Sequence, residues 1–130
     1  MPYTTFASDL ASAVTTPNYV MIVPNLCNDM HDCSVSTGDN WLKSNLPAIF
    51  NSPACTADKC QLILTWDEDD GSQGNQVLTI FAGSRAKTGG VTSAVSYTHF
   101  SMLRTIENIF GLPTQTSNDA AASPMTDLLR

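Results

Sequence analysis

Asp67 and Glu68 stand side by side directly after an apolar run, residues 60–66 (CQLILTW). Adjacent carboxylates repel unless a cation or a proton lies between them. Their hard oxygens suit Mg, Ca or Mn, and a histidine joining them extends the choice to Zn or Fe. The plainer reading of Asp67, Glu68, Asp69, Asp70 and Gly71 is a solvated acidic turn. An EF-hand is excluded, because Gly71 at loop position six would put Trp66 at position one. A second group is Asp29-Met30-His31-Asp32. A histidine between carboxylates can ligate a metal, act as a general acid or contact phosphate, and a neighbouring Asp would hold its ring. The plainer reading is a surface loop histidine. The third group is Tyr97-Thr98-His99, where a helix begins, a place that suits an imidazole ligand or simply a polar helix start.

Other chemistries leave no mark. There is no GxSxG, P-loop, GxGxxG or HExxH pattern. Ser34 and Ser36 lie near His31 in sequence, but nothing marks either as an activated nucleophile. The short pieces Gly83-Ser84-Arg85 and Thr88-Gly89-Gly90 are weak signals for an anion contact. Cys27 and Cys33 are six apart, and Cys55 and Cys60 five apart. Two close pairs suggest two local disulfide loops, with a zinc site or free core cysteines as rivals; the spacings fit zinc poorly.

The elements that must position these groups follow from periodicity. Phe6, Leu10, Ala13 and Val14 predict a short first helix ending before Pro17. Residues 19–23 (YVMIV), closed by Pro24, predict a buried strand leading into Asn25, Asp29 and His31. A helix is expected over 40–50, capped by Asp39, with Trp41, Leu42, Leu46 and Ile49 inward and Pro47 as its weakness. Residues 60–66 predict a second buried strand and 77–82 (VLTIFA) a third. A Gly/Ser/Thr-rich loop is expected over 83–96. Met102, Leu103, Ile106, Ile109 and Phe110 give the clearest helix, stopped by Gly111 and Pro113. Residues 114–122 read as a linker, and Ser123-Pro124 as the start of a last turn over 125–129. Alternating helices and apolar strands predict one α/β domain over 1–130, a mainly parallel sheet flanked by helices. In such a sheet ligands bind beyond the carboxyl ends of the strands, so Asp29 and His31 would meet Asp67 and Glu68 on one edge.

The chain has 130 residues, enough for one domain with a core. Twelve acidic residues against six basic ones give a net charge of −6, which disfavours nucleic acid and anionic membranes as partners. No run reaches the ~18 apolar residues of a membrane span, and the opening MPYTTFASDL lacks the pattern of a signal peptide. Few lysines and many hydroxyl and amide side chains, with paired cysteines, point to a secreted or periplasmic setting.

Three segments in this order, VPNLCNDMHDCSVSTGDNWL, LILTWDEDDG and YTHFSMLRTIENIFGLP, resemble the carboxyl-terminal half of the phosphoesterase family. That family includes acid phosphatases and phospholipases C within the alkaline phosphatase superfamily. The resemblance runs from about Thr5 to Leu129. It implies a truncated alkaline-phosphatase-like α/β core and a divalent metal ion as cofactor. It places Asp67 and Glu68 at paired metal-ligand positions. It places Asp29 and His31 in the NDMHD motif beside metal and phosphate, and His99 in the Y-x-H-x-S motif. Cys27–Cys33 and Cys55–Cys60 fit disulfide-bearing secreted members. The family's Glu-Asn metal pair and its Ser or Thr nucleophile have no counterpart here, and Thr16-Pro17-Asn18-Tyr19 only superficially echoes the nucleophile motif.

Two functions follow from this resemblance. One is a metal-dependent phosphoesterase acting on a small phosphate ester, with Asp67 and Glu68 on the metal and His31, Asp29 and His99 serving catalysis. The other is a non-catalytic or self-assembling module that binds metal or phosphate compounds. In either case the unmatched half predicts an exposed sheet edge and apolar surface, to be covered by a homo-oligomer or by the missing amino-terminal half.

Overall fold

A computed structural model describes residues 2–57 and 60–130. They fall into two compact units, Met1–Cys60 and Gln61–Arg130.

In the first unit, a 3-10 turn at Tyr3–Thr5 runs into a one-turn helix, α1 (Phe6–Asp9). The expected helix ends before Ala13 and Val14, and Val14 is 93% exposed. A buried strand over 19–23 does not form. That segment carries no ladder hydrogen bonds, and Tyr19, Val20, Met21 and Val23 are exposed. Five extended residues gain little without a neighbouring strand, and none pairs with them among the described residues.

Helix α2 (Val35–Phe50) starts five residues earlier than the periodicity indicated. Ser34, not Asp39, stands at its N-cap position, and Asp39 lies inside the first turns. Within the added turn, Gly38 allows a close approach of the preceding loop. A Cβ there would collide with Met30 Cε and Cγ and come within 3.0 Å of the Asn28 carbonyl. Pro47 is accommodated within the helix. Trp41, Leu42 and Leu46 are half-buried, Ile49 is buried, and Trp41 meets Tyr3 at a ring separation of 5.5 Å. A short helix, α3 (Pro53–Ala57), follows. Disulfides join Cys27 to Cys33 and Cys55 to Cys60, with no free cysteine among the described residues.

The second unit is built on β1 (Gln61–Thr65) and β2 (Thr79–Gly83), both present as expected to within two residues. Their pairing corrects the expectation of a mainly parallel sheet. They form a two-stranded antiparallel ribbon with Leu62 opposite Ala82, Ile63 opposite Phe81 and Leu64 opposite Ile80. A parallel pair needs a crossover, usually helical, and residues 66–78 hold no helix. Positive φ at Gly71, Gly74 and Asn75 instead folds that segment into a tight reversal. The chain is therefore mixed α/β, and among the described residues the sheet consists of β1 and β2 alone, with 19–23 not joining it.

Helix α4 (His99–Phe110) matches its sequence signal. Gly111, at φ 64°, ends it; Leu112 N–H reaches the Glu107 carbonyl at 2.9 Å, satisfying an otherwise orphaned acceptor. The stretch expected as a linker over 114–122 holds a short helix, α5 (Ser117–Ala121). The Thr116 hydroxyl caps α5, and Asp119 reaches back to the N–H groups of Gln115 and Thr116, both at 2.7 Å. A 3-10 turn at Thr126–Leu128 closes the chain. The terminal residues strap onto the loop after β2, through Lys87 N–H to the Leu128 carbonyl and Arg130 N–H to the Arg85 carbonyl, each 2.9 Å. Met125 N–H bonds the buried Thr105 hydroxyl of α4 at 2.8 Å.

Candidate active site

Asp29 and His31 sit in a loop closed on itself before α2. The Cys27–Cys33 disulfide ties its ends, and Asp32 N–H donates to the Leu26 carbonyl at 2.7 Å. Met30 at its tip takes a left-handed φ of 79° and packs against Gly38. Asp29 Oδ1 accepts from His31 N–H at 2.9 Å. His31 Nδ1 lies 2.8 Å from Asp32 Oδ1, with Nδ1 donating and the carboxylate oxygen accepting. The His31 side chain is 70% exposed, where an ion pair of this kind adds little stability but fixes the ring. Ser34 shares hydrogen bonds with the Ser36 and Thr37 hydroxyls, at 3.0 and 3.1 Å.

In the second unit, Asp67 and Glu68 leave the end of β1 and are exposed. His99, the first residue of α4, places Nε2 2.8 Å from the Asp67 main-chain carbonyl. A carbonyl only accepts, so Nε2 is the protonated nitrogen. The contact ties the carboxylate pair to the start of α4. The loop beyond is held by Asp69, whose carboxylate accepts N–H groups from Gly71, Gln73 and Asn75 at 2.8–3.0 Å. Those bonds, Gly71 first, hold the Asp69 carboxyl below the usual carboxylate range. Asp70 is lowered too, chiefly by the Ser72 hydroxyl.

The structure therefore brings Asp29, His31 and Asp32 together in one unit, and Asp67 and His99 in the other. Glu68 adjoins Asp67 along the chain. Among the described residues no three His, Cys, Asp or Glu side chains gather closely enough to hold a metal ion. Asp67 and Glu68 supply hard oxygen donors of the right chemistry, but only part of a ligand set.

Sequence reasoning missed a polar cluster beside His99. Asp127 accepts from the Tyr97 hydroxyl and from the Ser93 hydroxyl, both at 2.5 Å. These bonds, Ser93 first, lower the Asp127 carboxyl, while Asp127 in turn raises the Tyr97 phenol. Tyr97 in the third motif was the available signal, but its partner lies 30 residues on. A second missed pair, Glu107 and Asp119, is buried between α4 and α5.

Comparison with known proteins matches residues 3–113 to the Phosphoesterase family. A phosphatidylinositol-3-phosphatase of Mycobacterium tuberculosis is 40% identical over 112 residues, covering 86% of this chain and 36% of that protein. An acid phosphatase of Aspergillus fumigatus is 29% identical over 124 residues, covering 93% of this chain and 27% of that protein. A phosphate-repressible acid phosphatase of Penicillium chrysogenum is 31% identical over 124 residues, covering 93% and 30%. The chain thus spans about a third of the length of these relatives. No solved structure matches it. With a family match across most of its residues, including all three of its motif segments, the chain belongs to the phosphoesterase family.

Proposed function

We propose that this chain forms part of a metal-dependent, acid-phosphatase-like phosphoesterase that hydrolyses small phosphate esters. The match of residues 3–113 to the Phosphoesterase family carries this reading, and relatives named as phosphatases support it. Asp67 and Glu68 would hold a divalent cation, with ligands beyond this pair completing the site. When bound, such a cation neutralises phosphate oxygens and polarises phosphorus. His99, through its bond to the Asp67 carbonyl, positions the segment that carries both carboxylates. In the first unit, His31, its ring oriented by Asp32 and its backbone by Asp29, has the chemistry of a general acid. No residue of this chain is assigned as nucleophile. The two disulfides support an extracellular or periplasmic setting.

The incomplete ligand set favours a second reading, a non-catalytic module that binds a cation or a phosphate compound. One experiment separates the two. The purified chain is assayed on a chromogenic phosphate monoester with added divalent metals and with chelator, and metal binding is measured by calorimetry. Chelator-sensitive turnover lost in Asp67→Asn supports the enzyme. Metal binding lost in Asp67→Asn without turnover supports the module. No metal binding by the wild-type chain overturns the metal site in both.

A further inference from the structure

Two carboxyl groups face each other inside the second unit. Glu107, on the third turn of α4, is 2% exposed, and Asp119 of α5 is 0% exposed. Asp119 accepts from the N–H groups of Gln115 and Thr116 and from the Thr116 hydroxyl, three donors on a carboxylate with about four acceptor sites. Glu107 has none: neither of its carboxyl oxygens has a hydrogen-bond donor in proper geometry. The groups facing it are Asp119 on α5 and Arg104 on its own helix, whose guanidinium stands 3.8 Å away, too far for a hydrogen bond. Asp127, on the terminal strap, is occupied by Ser93 and Tyr97. Two buried anions in contact without a cation between them repel strongly, and a single proton removes the conflict.

We propose that Glu107 keeps its proton and donates it in a hydrogen bond to Asp119, and that this shared proton is a pH-sensitive latch fastening α5 to α4. Burial, then the Asp119 hydrogen bond and charge, push the Glu107 carboxyl up, against smaller opposing contributions from Gln115 N–H and Arg104. Burial likewise pushes Asp119 up, but the Thr116 hydroxyl and Gln115 N–H outweigh it and hold Asp119 at about 2. The two groups are thus driven apart, one to act as donor and the other as acceptor. As pH rises through the Glu107 value, the proton leaves to solvent and two carboxylates face each other. The latch therefore holds in acid and loosens toward neutral and alkaline pH. Its release has a local consequence. A shallow, open groove is lined by Thr98, Phe100 and Ser101 at the start of α4 and by Asn118 and Ala121 of α5. Loosening α5 removes one side of that groove.

The test is hydrogen exchange of the full chain between pH 5 and pH 8, corrected for intrinsic rates. It follows the α5 amides of Ala120 and Ala122, which bond to the Thr116 and Asp119 carbonyls. Their protection is expected to fall with rising pH, by at most about tenfold per pH unit for a one-proton latch. In Glu107→Gln, whose amide donates to Asp119 at every pH, protection is expected to stay level. A level wild-type profile, or an unchanged slope in Glu107→Gln, overturns the proposal. Carboxyl carbon NMR of the wild-type chain gives a reading that needs no variant. A Glu107 signal that titrates above the range of ordinary glutamates supports the latch, and one within or below that range overturns it.

Discussion

Gly38 shows how one missing methyl group sets the geometry of a candidate site. Met30 occupies the space a Cβ would take, and Met30 is the tip of the loop that carries Asp29 and His31. Gly38→Ala is expected to destabilise the chain by about 1–3 kcal/mol through overpacking. The effect is read as a lower urea midpoint with an unchanged slope. Restoration by a second change, Met30→Ala, would identify the contact. At the same scale, the motif segments exposed the chemistry-bearing residues directly. Asp67, Glu68, His31 and His99 stood out by type and spacing, because adjacent carboxylates and rare histidines are visible one residue at a time. Tyr97–Asp127 and Glu107–Asp119 did not, because each is a pair only after the chain has folded back on itself.

Among the elements, α4 was the most readable. Its apolar spacing, its start at Thr98 and its stop at Gly111 agree with one another, and local signals that agree are obeyed. Gly111→Ala, forced into a left-handed φ of 64°, is expected to cost about 1–2 kcal/mol and to lower the melting temperature. The Cys27–Cys33 loop is a second such element. Removing its disulfide relaxes a six-residue separation, worth about 2 kcal/mol in the chain-entropy account. Limited proteolysis checks this, with new cleavage expected around residues 25–33. The α5 cap adds an acid limit. Against the opposing effect of burial, the Thr116 hydroxyl and the Gln115 N–H hold the Asp119 carboxyl at about 2, well below its ordinary value of 3.8. A depressed carboxyl stabilises the fold fully above its unfolded value and loses that contribution as pH falls through the folded one. Asp127, held low by Ser93 and Tyr97, acts in the same direction. Far-ultraviolet circular dichroism is therefore expected to show helix loss between about pH 4 and pH 2, with a shallower loss in Asp119→Asn.

For the whole molecule, the surface is the informative part. Residues 10–28 carry no charged side chain in a chain of net charge −6. Val14, Tyr19, Met21, Val23 and Leu26 within them are exposed. Exposed apolar side chains with no charge among them would let two copies of an acidic chain approach with little repulsion. Sedimentation velocity is expected to show concentration-dependent self-association, reduced in Met21→Lys. A strict monomer at all concentrations would refute this. By itself, the sequence determined the helix around Met102 to Phe110, the positions of β1 and β2, both cysteine pairs and the family, because each rests on residues close together in the chain. Only the tertiary structure decided that β1 and β2 run antiparallel, that residues 19–23 form no strand and leave Tyr19, Val20, Met21 and Val23 exposed, that α2 reaches back to Val35, and that Glu107 lies against Asp119. Those outcomes depend on which distant segment arrives to pair, to fill the space beside a glycine, or to bury a charge. Spacing along one strand or helix does not encode that choice.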